Sequence, residues 1–355
     1  MKLELINIIH TLIIWQSVLF AVILATPKYN KKRENKFLAL LLLTLGIHFS
    51  YNILLTNQLF LNILPQYSCS YGFLYGPFLF LYVQFHFRKG LKFNRLHFLH
   101  FMPFIAVIFS TLMGFRICSI AMYLILPVML IYCLLSFWEI LHYKKVNLQI
   151  SSNFNATETK WIQLLLIVQL IILFLNFLHF QISELTFLGF SFTIESIVQF
   201  GLLILVNIMI YQGLKNPHYF QKISKSDLEI YEINKTNEKI DIEALKPISI
   251  ELKKYMKAYK PFLNPELNLN LLAENLAIHP KTLSQTINKV IGSNFSEYIN
   301  SYRIEEAKLL FKKATDKNLT IMEVMYEVGF NSRSVFNTAF KNKTGKTPSQ
   351  FKANK

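Results

Sequence analysis

No aspartate precedes Asp227, and charged residues of both signs make up only 16% of the chain. The first two hundred residues therefore cannot supply the paired aspartates of an intramembrane aspartyl protease. The apolar stretch 188–212 contains no lysine, so it offers no amine for a retinal Schiff base. The pattern HExxH is absent, which leaves a helical zinc-protease site without support. The cysteines are Cys69, Cys118 and Cys133, an odd number with no CxxC. Neither a zinc site nor a disulfide framework is expected from them. No catalytic residue, metal ligand or cofactor motif emerges, and the expectation is a protein that is not an enzyme.

What is abundant is apolar. Hydrophobic residues form 53% of the 355, which is high for a soluble protein. Apolar runs near the ~20 residues that cross a bilayer fall at about 4–26, 36–57, 67–87, 97–115, 117–140, 161–182 and 188–212. Basic residues alternate between the connections. Lys28, Lys31, Lys32, Arg33 and Lys36 follow the first run. Arg88, Lys89, Lys92 and Arg95 follow the third, and Lys144, Lys145 and Lys160 follow the fifth. The other connections hold almost none. Basic loops mark the cytoplasmic side, so the N-terminus is placed outside and the chain beyond Tyr211 inside. Seven spans have the matching parity. The first run is a poor cleavable signal peptide, since only Lys2, with Glu4, precedes it and the basic cluster follows it.

Polar groups within the spans are candidates for sensing, or for bonds to neighbouring helices. Glu195 lies well inside the last span, with Gln199 one turn on and on the same face. These two are the expected sensing residues for an unknown ligand. Ser68, Gly72 and Gly76 recur every fourth residue, a spacing that lets helices approach closely. Packing within the chain is the favoured reading, and a homodimer contact is the alternative. Pro77 and Pro127 are expected to kink their helices. In this topology Cys69 and Cys118 both fall near outer ends of spans. Free thiols are favoured, with a Cys69–Cys118 bridge as the alternative.

Residues 214–247 turn polar and charged and read as a linker, either helical or a tether. From about Ile248 the pattern is helical throughout. A first helix at 249–260 stops at Pro261. Asn268 is an N-cap for 269–277, and Pro280 opens a helix over 280–290. Gly292 is a C-cap, and a long helix covers 294–313. Thr320 with Glu323 forms a capping box before 321–328, and 332–343 closes near Gly345. Two short-helix pairs joined by one long helix form a double helix-turn-helix. Leu276-Ala277-Ile278 in the first turn corresponds to Val328-Gly329-Phe330 in the second.

Residues 250–352 resemble the DNA-binding domain of the AraC family of bacterial transcription regulators. The matches are Gly329, Phe330, Ser332, Ser334, Phe336, Phe340, Lys341, Gly345, Thr347, Pro348 and Phe351, with Leu272, Ala273, Leu276, Ile278, Leu283 and Ser284 in the first unit. Ala277 stands where that family often has Gly, His279 where Ser often caps, and Thr338 where Arg often sits. The resemblance implies two recognition helices in successive major grooves of double-stranded DNA, ~34 Å apart. Leu283, Ile287, Phe336 and Phe340 would face the core. Lys281, Thr282, Ser284, Gln285 and Asn288 would then face DNA from the first helix, and Arg333, Ser334, Asn337, Thr338 and Lys341 from the second. Arg333 suits guanine, Gln285 or Asn337 suits adenine, and Lys281 and Lys341 suit phosphate.

The expected fold is all-α. A polytopic membrane domain over 1–213 lies in the lipid bilayer of the inner membrane. A linker over 214–247 joins it to a cytoplasmic DNA-binding domain over 248–355. The expected function is a membrane-embedded, one-component transcription regulator without a cofactor. The alternatives are a transporter or a membrane enzyme with an autoregulatory DNA-binding tail.

Overall fold

The computed structural model describes residues 2–30, 32–56, 67–115, 117–153, 159–183, 188–214, 222–235, 241–313 and 319–353. Among these the architecture is helical, with no β-strand beyond isolated bridges. The chain divides into two compact units. The first holds Met1–Ile140 and Thr159–Lys222, and the second Leu141–Glu158 and Ile223–Lys355. The expected boundary near residue 213 is therefore incomplete, because the connection after the fifth apolar run belongs with the C-terminal unit.

The first unit contains α1 (Lys2–Ala25), α2 (Pro27–Asn30), α3 (Arg33–Thr56), α4 (Gly72–Phe87), α5 (Met102–Leu112), α6 (Cys118–Ile150, up to Ile140), α7 (Lys160–Ser183) and α8 (Leu188–Leu214). α1 packs on α3 and α8, α3 on α4, and α7 on α8. Five segments among the described residues are long and apolar enough to cross a membrane: Ile6–Ala25, Arg33–Leu54, Arg95–Leu112, Ile120–Ile150 and Lys160–His179. The expected third span is shorter than a crossing helix. α4 has only 16 residues and is buried on nearly every face. An apolar helix without a polar side suits a core position. Outward-facing Trp15, Phe109, Leu134, Ile167 and Ile204 give the unit an apolar exterior.

Gly72 and Gly76 pack within the chain. A Cβ at Gly72 would stand 2.7 Å from Ile125, and one at Gly76 2.5 Å from Tyr132, both on α6. Pro77 and Pro127 are accommodated inside α4 and α6. The favoured free-thiol reading is corrected, since Cys69 and Cys118 are bridged with their Cα atoms 5.6 Å apart. Only Cys133 is a free cysteine. The bridged Cys69 and Cys118 are 49 positions apart, a separation that leaves no local signal in the sequence.

Two buried carboxylates are matched by cations. Glu139, 2% exposed, takes Arg88 bidentately at 2.6 and 2.7 Å. Glu34, 3% exposed, takes both oxygens' bonds from Lys222 at 2.9 Å. Asn207 donates to Gln16 of α1 at 3.1 Å and to the carbonyl of Leu203. That bond joins α8 to α1, the role expected of an amide within an apolar helix.

The second unit contains the end of α6, then α9 (Lys225–Lys235), α10 (Ile242–Tyr259), α11 (Leu269–Asn275), α12 (Pro280–Gln285), α13 (Phe295–Lys313), α14 (Ile321–Glu327), α15 (Arg333–Thr344) and α16 (Pro348–Ala353). The helix expected at 249–260 begins earlier. Asp241 caps it by accepting from the backbone N–H of Glu243 and Ala244, and Pro247 sits within its early turns. Most of the described linker is thus helical.

Candidate nucleic-acid interface

Local chemistry fixes the two helix pairs. The Asn268 side chain accepts from the Leu271 N–H at 2.9 Å and starts α11. His279 starts α12, its Nδ1 accepting from the Lys281 N–H at 3.2 Å. The imidazole thus takes over the capping role that a serine hydroxyl would fill. α12 continues as a π-helical stretch over Thr286–Ile291 and ends on Gly292 at φ +79°. In the second pair, Thr320 and Glu323 form the reciprocal capping box before α14. α15 ends on Gly345 at φ +74°.

The two turns share one hydrogen-bond pattern. Ile278 N–H donates to the Ala273 carbonyl and Phe330 N–H to the Met325 carbonyl, each at 3.0 Å. Ala277 and Gly329 each donate three residues back, and both adopt positive φ, +53° and +89°. The left-handed residue is strained when it carries a Cβ. At Gly329 a Cβ would also meet the Phe262 carbonyl oxygen at 2.6 Å. The second turn therefore requires glycine, whereas the first only prefers it.

Apolar faces set the orientation of the recognition helices. Leu283 and Ile287 are fully buried, as are Phe336 and Phe340. Around the latter pair, Ile304, Ala307, Phe311, Val324, Met325, Val328 and Phe330 make one core. Along α15, Arg333, Ser334, Thr338 and Lys341 are exposed and Asn337 is half-buried. Along α12 and its continuation, Lys281, Thr282, Gln285 and Asn288 are half-buried. Ser284 is a correction. It is 1% exposed and accepts from Asn234 Nδ2 at 2.7 Å, so in this structure it cannot reach DNA. The cause is α9, which lies against α12.

Sequence reasoning missed Arg303. It sits on α13, the helix joining the two pairs, and is 0% exposed. Its Nε donates to the Phe262 carbonyl at 2.6 Å, Nη2 to the Asn264 carbonyl at 2.9 Å, and Nη1 to Asn153 Oδ1 at 3.1 Å. The guanidinium also lies 5.3 Å from the centre of the Phe330 ring. Burial pulls its pKa down to about 9, so it stays charged at neutral pH. Asn153 in turn donates to the carbonyls of Pro265 and Gly329, at 2.6 and 3.1 Å. Ser152 donates to the Leu267 carbonyl at 2.7 Å. A short segment after α6 therefore ties the entrance of the first helix pair to the turn of the second. Its only sequence signal was a run of small polar residues after a long helix.

Among the described residues no group of His, Cys, Asp or Glu could hold a metal ion. Of the expected sensing pair, Gln199 is buried, with its Oε1 in reach of the His10 imidazole of α1 but in no hydrogen bond of good geometry. The Glu195 side chain lies outside the described residues.

Residues 272–354 match the helix-turn-helix domain family. The chain is 33% identical over 91 residues to the transcriptional regulatory protein YesN of Bacillus subtilis, covering 25% of this chain and 24% of that protein. It is 33% identical over 88 residues to an HTH-type transcriptional regulator of Pseudoalteromonas carrageenovora, covering 24% and 49%. The chain thus spans half or less of the length of these relatives. The C-terminal domain of AraT, a response regulator from Geobacillus stearothermophilus, is 31% identical, with 31% of this chain and 88% of that one covered at a TM-score of 0.28. The C-terminal part of this chain is an AraC-type helix-turn-helix domain.

Proposed function

We propose that this protein is a membrane-embedded, one-component transcription regulator. The observation that carries the reading is the union of two helix-turn-helix pairs with a bundle of apolar, membrane-length helices in one chain. The C-terminal unit binds double-stranded DNA through α12 and α15. Arg333, Ser334, Asn337, Thr338 and Lys341 form one reading face, and Lys281, Thr282, Gln285 and Asn288 the other. No chemistry is catalysed. The first unit lies in the inner membrane with its N-terminus outside and senses a ligand there. The alternation of basic loops supports this orientation, and so does the bridge between Cys69 and Cys118, which belongs in an oxidising compartment.

Mapping the genomic sites occupied by the intact protein tests the reading. Discrete promoter sites, lost when Arg333 and Asn337 are replaced by alanine, are the expected result. Dispersed, sequence-independent occupancy would overturn it.

A further inference from the structure

The first unit holds a partly open cavity of about 430 Å³ between α3, α4, α6, α7 and α8. That is within the ~300–1,000 Å³ typical of small-molecule sites. Most of its wall is Leu, Ile, Met and Phe. Ser68, His48, Asn52, Tyr75, Gln169, Asn176, His179 and Gln199 interrupt that wall, and among the described residues no Asp, Glu, Lys or Arg lines it. His48 and Tyr75 bond each other at 2.5 Å, and Asn176 donates to the Ile172 carbonyl of its own helix. Gln199, 8% exposed, has its buried Oε1 in reach of the His10 imidazole of α1, and neither group completes a hydrogen bond of good geometry. A ligand hydroxyl in the cavity would supply the missing donor.

We propose that this cavity binds an uncharged amphiphile, a mainly apolar molecule whose hydroxyl donates to Gln199. The inference rests on the membrane reading above and names the ligand class. Among the described residues the wall offers a charged headgroup no Asp, Glu, Lys or Arg, and burying an unpaired charge is costly. Such a ligand can enter from water or from the bilayer.

The test uses the full chain in lipid nanodiscs and a dodecanol carrying a photoreactive diazirine, with crosslinks mapped by mass spectrometry. Labelling is expected on α7 and α8 residues facing the cavity. Leu202→Trp, which fills the cavity, should reduce it about tenfold, whereas Ile204→Trp on the outer face should not. Gln199→Leu should reduce capture of the alcohol but not of the matching diazirine alkane. That comparison remains decisive if the tryptophan variant fails to fold. Unlabelled octanol added from water and monoolein placed in the bilayer distinguish the two sources by which one competes. Equal labelling by a diazirine dodecanoate, or labelling indifferent to both cavity variants, overturns the proposal. Genomic occupancy is read separately, so loss of labelling with retained promoter binding would sink the ligand assignment alone.

A different observation, in the second unit, carries a second inference. The α15 reading face is mostly open, whereas every expected contact on α12 is half-buried or buried. Asn234 of α9 donates both to Ser284 Oγ at 2.7 Å and to Gln149 Oε1, in the last turn of α6, at 2.6 Å. We infer that α9 is a removable cover on the first recognition helix, and that DNA and α9 compete for its Ser284 flank. Gln149 holds the cover closed.

The double variant Asn234→Cys with Ser284→Cys tests this in the full chain. The probe is a duplex of about 30 bp, long enough for two successive major grooves, taken from an occupied promoter. Closing the engineered disulfide with copper phenanthroline should lower affinity about tenfold or more relative to the same variant reduced. The single variant Asn234→Cys, taken through the same cycle, should not change. Equal affinity in the oxidised and reduced double variant would show that α9 and DNA are compatible, and the cover would be withdrawn.

Discussion

At the scale of single residues, the clearest contrast is between Ala277 and Gly329. They occupy equivalent turns with positive φ, yet only Gly329 has backbone carbonyls where a Cβ would lie. Ala277→Gly should stabilise the domain by about 0.5–1 kcal/mol, the ~1–2 kcal/mol left-handed penalty less the entropy cost of glycine. Gly329→Ala should destabilise it by at least about 1–2 kcal/mol, because strain and collision add. Hydrogen exchange across 269–344 in the intact protein measures both. Equal and opposite effects would mean that the two turns are not distinguished by their surroundings. The departure at Ala277 was visible in the sequence as an alanine where a glycine is usual. Arg303 was not, since a basic residue on an amphipathic helix reads as solvated. Its burial follows from carbonyls some 40 positions earlier and from Asn153, 150 positions earlier. Arg303→Met should remove the tie to Asn153 and loosen residues 151–153 in exchange, whereas Arg303→Lys should restore only part of it, because lysine lacks the planar fork.

At the scale of elements, the helices of the C-terminal unit were legible because their signals are local. Asn268, Thr320, Glu323, Gly292 and Gly345 are all caps that act within one turn, and each holds the role its spacing suggests. α10 starts earlier than the expected 249 because Asp241 caps it, and Pro247 inside the helix forgoes one backbone bond without ending it. α4 was legible as apolar but not as central, since a run buried by protein and one buried by lipid look alike in sequence. The close approach of α4 and α6 makes Gly76→Leu a severe change, because its side chain would have to displace Tyr132. Near the end of α4, Arg88 neutralises the buried Glu139 of α6. Arg88→Ala leaves that carboxylate unpaired, at a cost of about 3–5 kcal/mol. Glu139→Gln should rescue much of the loss when combined with it. Protein accumulated in the membrane, assayed by protease resistance, provides the readout. A double variant no more resistant than Arg88→Ala alone would refute the pairing as the cause.

At the scale of the whole molecule, the distribution of charge and hydrophobicity sets the expected topology. Reporter fusions at Asn30, Asn62, Asn94 and Asn153 should report inside, outside, inside and inside. Asn62 lies outside the described residues and rests on the sequence alone. An external signal at Asn30 or Asn94 would invert the topology and place the DNA-binding domain on the wrong side. The connection 141–153 was read only as a basic loop, and its membership of the DNA-binding unit was not legible. Its bonds to Leu267, Pro265 and Gly329 span more than a hundred positions each. Sensing is the remaining link. A carboxylate at the middle of a span costs ~2.5–3.5 kcal/mol on insertion scales, so Glu195 must be protonated, paired or facing a polar space. Gln199, one turn on, borders the cavity of the first unit. Glu195→Gln keeps the size and the hydrogen-bonding capacity while removing the charge. If Glu195 reports ligand or proton at that cavity, the variant should hold transcriptional output in one state while protein level and DNA affinity of the C-terminal unit stay unchanged. A variant that responds to the inducing condition like the wild type would reduce Glu195 to a bond between helices.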